Sequence, residues 1–60
     1  MNTPLPKDPI ILLSYLNTQL RDFYSNLDDL CLSLGVKKDD LIETMKSIDY
    51  EYDEDKNRFL

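Results

Sequence analysis

The chain has 60 residues, of which 42% are hydrophobic and 32% charged, a composition typical of one small globular domain rather than a disordered tail. Its formal net charge is −5, which opposes binding to nucleic acid and to anionic membranes at long range. The chain has no His and one Cys, so it cannot form an internal disulfide or a zinc site from Cys and His ligands. A core of this size rarely supplies more than about 3–5 kcal/mol, so stabilisation by a second subunit stays open.

Residues 1–7 contain two prolines and no hydrophobic periodicity, which predicts a flexible lead-in to a single domain spanning residues 8–60. The apolar run that follows, PIILLSYL, is too short to cross a bilayer. It also lacks the small-residue cleavage site of a signal peptide. We therefore expect a cytoplasmic protein that makes no membrane contact.

The first helix is predicted to start at Asp8-Pro9, because Asp caps free N–H groups and Pro suits the first helical position. Spacing at about 100° per residue predicts roughly four turns. Ile11 and Tyr15 fall toward the polar side. The residues on the inner face are Leu12, Leu13, Leu16, Leu20, Phe23 and Tyr24.

The second helix is predicted to begin at Ser25, where Ser25 and Asp28 have the spacing of a capping box. Gly35, the only glycine, stands where a left-handed residue ends a helix. Leu32 points away from the buried stripe. That stripe is formed by Leu27, Leu30, Cys31 and Leu34.

The third helix is predicted to start near Lys37–Asp39 and to end at Asp49, since Asp tolerates positive φ. Leu41, Met45 and Ile48 form its inner stripe. After it the period changes to two, with Tyr50 and Tyr52 alternating with acidic residues, which indicates a strand. Residues 53–57 have the composition of a turn, and Arg58-Phe59 can return as a second strand.

The predicted fold is therefore mainly α, a three-helix helix-turn-helix core with a short C-terminal β-hairpin, which resembles a winged helix. In DNA-binding members of that fold the third helix enters the major groove. Here its exposed face carries Asp40 and Glu43, which would repel phosphates. If the chain does bind DNA, the candidate contacts are Lys37, Lys38, Lys46, Lys56 and Arg58.

Three apolar residues lie outside the buried stripes: Ile11, Tyr15 and Leu32. A contiguous exposed apolar patch indicates a protein interface, whereas scattered ones are normal. Both an interface and simple extra packing against the lead-in or the hairpin stay open. These three residues, with Arg21, are the candidate interface.

No catalytic, cofactor-binding or metal-binding residues are predicted. Asp53-x-Asp55-x-Asn57 has the spacing that opens a calcium loop, but Arg58 stands where that loop needs glycine. A polar turn is the simpler interpretation. Cys31 lies on an inner stripe and has no His to activate it, so it is predicted to be a small core residue.

The stretches DPIILLSYLNTQLRDFYSNLDDLC and IDYEYDEDKNRF resemble a family of short bacterial proteins described as domain of unknown function 4250. NTQLRDFY, residues 17–24, is the most specific part. The resemblance implies a bacterial origin and a single small domain, and it supplies no activity. The polar residues Asn17, Arg21 and Asp22 favour either a binding surface or a polar anchor to the hairpin.

These observations favour a non-enzymatic protein-interaction module, with a protein partner or a second copy of the chain as the ligand. The alternative is a transcriptional regulator that binds DNA weakly or with a basic partner. Nucleic-acid binding by the chain alone is not expected.

Overall fold

The computed structural model describes residues 5–60, which form three helices followed by an antiparallel hairpin. The elements are α1 (Pro9–Asp22), α2 (Leu27–Leu34), α3 (Lys38–Lys46), β1 (Tyr52–Asp53) and β2 (Arg58–Phe59). The predicted mainly helical fold with a C-terminal hairpin is confirmed. Of the predicted lead-in, residues 1–4 lie outside the described residues, and Leu5 packs against the core.

None of the helices in the described chain is long and apolar enough to cross a membrane.

The start of α1 is as predicted. The Asp8 carboxylate accepts hydrogen bonds from the N–H groups of Ile10 and Ile11, and Pro9 occupies the first turn. The predicted inner face is wrong at Phe23, because the helix stops at Asp22, whereas Tyr24 is half-buried and packs against the core. Phe23 is the C-cap, with φ −126° and ψ −26°, and this non-helical backbone leaves its side chain 71% exposed.

The predicted cap of α2 is also wrong, by one residue. Asn26, not Ser25, is the N-cap, and its side-chain oxygen accepts a 2.7 Å hydrogen bond from the Asp29 N–H. The Ser25 hydroxyl instead donates to the Asp29 carboxylate at 3.0 Å. The extended backbone of Asn26, with φ −160° and ψ 171°, aims its amide into the first turn.

Gly35 ends α2 in the left-handed conformation, as predicted. The predicted end of α3 at Asp49 is wrong, because the helix ends at Lys46 and its C-cap, Ser47, has a right-handed backbone. The positive φ predicted for Asp49 is confirmed. Gly35 has φ 69° and its N–H donates to the Cys31 carbonyl at the end of α2. Asp49 has φ 64° just beyond α3, and the chain then turns so that the Tyr50 N–H donates to the Met45 carbonyl. These bonds satisfy carbonyls that would otherwise be free at the helix ends.

The hairpin is shorter than the alternating sequence indicates. Tyr52 pairs with Phe59 and Asp53 with Arg58, while Tyr50 lies outside the ladder. Reciprocal backbone hydrogen bonds between Glu51 and Leu60 continue the pairing beyond the two strands. In the turn, the Asp53 carboxylate accepts from the Lys56 N–H at 3.1 Å, so it acts as a turn residue.

The core lies between the inner faces of the helices and is closed by Phe59 of β2, which packs along α1. The ring of Phe59 is 5.5 Å from the ring of Tyr52, centroid to centroid, in a tilted arrangement. Burial of these apolar side chains is the main source of stability. The buried residues are Leu12, Leu16, Leu20, Leu27, Leu30, Cys31, Leu41, Met45 and Phe59.

Candidate functional site

Asn17 fixes the second strand to α1. Its amide N–H₂ donates to the Phe59 carbonyl at 3.1 Å, and its side-chain oxygen accepts from the Phe59 N–H at 2.8 Å. Both hydrogen-bonding groups of one strand residue are thereby satisfied by one half-buried side chain. Of the two roles open to Asn17, the polar anchor to the hairpin is the one this geometry matches.

Asn57 fixes the turn to the end of α1. Its amide donates to the carbonyls of Leu20 at 3.1 Å and Tyr24 at 2.9 Å, close to where α1 ends. Its side-chain oxygen accepts from the Tyr52 hydroxyl at 2.6 Å. The same hydroxyl accepts from the Leu27 N–H at 3.2 Å, so one polar network joins α1, α2 and the hairpin.

Between α1 and the turn lies an open groove of about 880 Å³, called here the α1–hairpin groove. One wall is α1 and the other is the segment that leads from the turn into β2. Asn17 and Asn57 hold the two walls together. The lining residues are Ile10, Leu13, Ser14, Asn17, Thr18, Leu20, Arg21, Lys56, Asn57 and Arg58.

The charge of this groove is opposite to that of the chain. Arg21, Lys56 and Arg58 line it, and none of its lining residues is acidic, although acids outnumber bases 12 to 7 in the sequence. Among residues 5–60, Lys56 and Arg58 form no ion pair. The groove is therefore a local basic surface on an acidic protein.

Of the three cationic residues in the groove, Arg21 is the one whose charge is partly neutralised, by Asp22. Its Nε lies 2.9 Å from the Asp22 carboxylate, and this hydrogen bond and charge raise the pKa of Arg21 and lower that of Asp22. A second hydrogen bond, from Nη2 of Arg21 to the other carboxylate oxygen at 3.0 Å, makes the pair bidentate, and both side chains are exposed to water. Within the described part of the chain, the groove cations that carry no ion pair are therefore Lys56 and Arg58.

The groove offers binding chemistry rather than acid–base chemistry. Its lining includes no carboxylate, imidazole or thiol that could serve as a general base near neutral pH. It combines apolar side chains, Ile10 and Leu13, with hydroxyls of Ser14 and Thr18 and the cationic groups. A few polar groups above an apolar floor are typical of ligand-binding grooves.

The other predicted nucleic-acid contacts lie elsewhere. Lys38 and Lys46 line a second groove of about 570 Å³ together with Glu51, Asp53, Glu54 and Asp55. The Lys38 ammonium is 3.0 Å from the Asp28 carboxylate, whose hydrogen bond and charge raise the pKa of Lys38. Lys37 is exposed at the N-cap of α3. The five candidate contacts thus divide into two in the α1–hairpin groove, which acids do not line, two in the acid-lined second groove, and Lys37 outside both.

The candidate interface residues also divide. Ile11 is 58% exposed on α1 and Leu32 is 84% exposed on α2. Tyr15 is half-buried and packs against the core. Arg21 alone among the four lines the α1–hairpin groove. An interface through Ile11 and Leu32 stays a prediction.

Cys31 is buried, as its place on the inner stripe predicts. Burial, together with the nearby Asp28 charge, raises the pKa of its thiol above the ordinary value. The thiol therefore stays protonated at neutral pH, and a protonated thiol is a poor nucleophile.

Sequence reasoning missed four groove residues: Ile10, Ser14, Thr18 and Asn57. The first three lie on the face of α1 that lines the groove. The residue types on a helix face do not reveal which distant segment packs beside it. Asn57 has φ 52°, and a turn composition that ends in Asn is the one sequence feature that could have indicated this left-handed position.

A family model described as Domain of unknown function (DUF4250) matches residues 6–59, which confirms the predicted resemblance. No curated protein and no solved structure matches the chain. The winged-helix resemblance and the bacterial origin stay predictions.

Proposed function

The chain belongs to the family described as domain of unknown function DUF4250, and because that description names no activity, we propose a function from the chain's own surface. It is a non-enzymatic, cytoplasmic protein-interaction domain that binds a partner protein through the α1–hairpin groove. The main observation in support is that three cationic residues and no acidic residue line the groove, although the chain has a net charge of −5.

Two features support a binding role over a catalytic one. The groove lining lacks a general base, and the one thiol of the chain is buried with a raised pKa. The groove walls are also fixed before any ligand arrives, since Asn17 and Asn57 hydrogen-bond across them. A preformed groove binds with little ordering cost, which favours recognition.

A photo-crosslinking amino acid placed in the groove tests this proposal. We would replace Thr18, which is exposed in the groove, with benzoylphenylalanine, and use Glu43, exposed on α3, as the matched control position. In the native host cells we expect irradiation of the Thr18 variant to yield a discrete protein adduct, identified by mass spectrometry and absent from the Glu43 variant. Equal adducts at both positions, or none at Thr18, would reject the groove as the binding surface.

The second candidate is DNA binding, which the presence of Lys56 and Arg58 together in the groove favours. The exposed Asp39, Asp40 and Glu43 of α3 oppose it, since a recognition helix must approach phosphates. We expect no change in the fluorescence anisotropy of a mixed-sequence duplex titrated to about 100 µM protein at about 50 mM salt, where phosphate contacts are strongest. Binding at micromolar protein that weakens steeply with salt would instead establish the DNA-binding function.

A further inference from the structure

We infer that the occupant of the α1–hairpin groove is an acidic peptide segment with aliphatic side chains, presented by a partner protein. This inference rests on the proposed function and adds the chemistry of the ligand. Its basis is the juxtaposition of Arg21, Lys56 and Arg58 with the apolar side chains of Ile10 and Leu13 in one groove.

Charge complementarity selects an acidic ligand. Lys56 and Arg58 are exposed and form no ion pair within residues 5–60, so their charges are available to a ligand. Arg guanidinium groups bind carboxylates with two parallel hydrogen bonds, and Lys adds a point charge. A second copy of the chain is a poorer occupant in a two-fold contact, because it would bring the same cations against these three.

The apolar part of the groove requires aliphatic side chains on the ligand. Ile10 is 60% exposed at one end, and Leu13 is half-buried beside it. Covering this surface removes apolar area from water, which stabilises a complex. A segment that carried only acidic residues would leave it exposed.

The size of the groove limits the segment. From Ile10 to Arg21 the helix rises about 17 Å, at about 1.5 Å per residue. An extended peptide covers about 3.3 Å per residue, so about five residues of the ligand lie in the groove. This is the length of a short linear motif rather than of a folded domain.

The same surface suits nucleic acid less well. DNA affinity depends on neutralising many phosphates, and the groove offers only three cationic side chains. The rest of the chain is acidic and repels an extended polyanion along its whole length. Phosphates also make no use of the apolar surface of Ile10 and Leu13.

Selection from a random seven-residue peptide library displayed on phage, with the immobilised full chain as target, tests the inference. We expect the selected peptides to be enriched in Asp and Glu together with Leu, Ile or Val. Synthetic peptides from the selection would then be titrated, and their binding mapped on the ¹⁵N amide spectrum. We expect shifts at Thr18 and Arg58 and none at Ile42 of the second groove.

Charge variants provide the matched comparison. Lys56→Glu/Arg58→Glu replaces two of the three groove cations, and Lys37→Glu/Lys46→Glu makes the same change in net charge at exposed positions outside the groove. We expect the first variant to weaken binding about tenfold or more and the second to weaken it less than about threefold, because screening attenuates distant charges. Unchanged amide dispersion in both variants would show that the fold is intact.

The remaining outcomes overturn the inference in distinguishable ways. Selected peptides that bind in the groove but are neutral or basic would reject the acidic ligand and leave the proposed function standing. No enrichment, or equal loss of binding in the two variants, would reject the groove chemistry. Competition by a DNA duplex at micromolar concentration, with shifts at the same amides, would assign the groove to nucleic acid.

Discussion

Replacing Asn57 with alanine is expected to lower the free energy of unfolding by about 3 kcal/mol. The change removes three side-chain hydrogen bonds, to Leu20, Tyr24 and Tyr52, each contributing about 0.5–1.5 kcal/mol. Alanine also keeps a β-carbon at φ 52° but lacks the polar side-chain atoms whose local contacts help Asn tolerate this region. Since a core of this size supplies about 3–5 kcal/mol, about 0–2 kcal/mol would remain, and between about 3% and 50% of the molecules should be unfolded at 25 °C. Urea denaturation followed by circular dichroism measures the change.

Asn57→Gly is the matched control, because glycine adopts the left-handed backbone freely and loses only the hydrogen bonds. We expect it to be less destabilised than Asn57→Ala by about 1 kcal/mol. Equal destabilisation would show that the backbone conformation makes no contribution. A loss below about 0.5 kcal/mol in both variants would contradict the importance assigned to the network itself.

Replacing Phe59 with alanine is expected to destabilise the domain by about 3–5 kcal/mol, the range for deleting a buried aromatic side chain. Phe59 is 1% exposed, and its ring contacts Tyr52 while its backbone is held by Asn17. Removing the ring leaves a cavity that helices joined by short turns cannot readily close. Loss of amide dispersion in the ¹⁵N spectrum and of the urea transition are the measurements.

Phe23→Ala is the control, because it makes the same chemical change at a side chain that is 71% exposed. We expect its stability to stay within about 0.5 kcal/mol of the parent. Phe59→Leu, which keeps an apolar side chain in the core, should lose about 1 kcal/mol. If Phe59→Ala unfolds no more readily than Phe23→Ala, the hairpin does not belong to the cooperative core.

The start of α1, the end of α2 and the buried stripes could be predicted from the sequence, because they depend on residues that are close to one another along the chain. Asp8 and Pro9 start α1, and Gly35 ends α2, because each acts on backbone groups within one helical turn. The buried stripes follow from the same short-range periodicity. The exact cap of α2 could not be decided, since Ser25 and Asn26 are both good caps and stand next to each other.

The groove could not be predicted, because its walls are distant in the sequence. Asn57 reaches Leu20 across 37 residues, and Asn17 reaches Phe59 across 42. From the sequence, Lys56 and Arg58 are candidate DNA contacts together with Lys38 and Lys46 of α3. Only the tertiary packing of β2 along α1 separates them from Lys38 and Lys46 and places them beside Arg21.

The contribution of Phe59 to the core also sets when a newly made chain can fold. Ribosomes add about 5–20 residues per second and release them N-terminus first, so α1 emerges seconds before the strand that covers it. Until residue 59 has left the exit tunnel, Leu16 and Leu20 lack an aromatic side chain that helps to bury them. The native core therefore forms only after Phe59, its last buried residue, has left the exit tunnel.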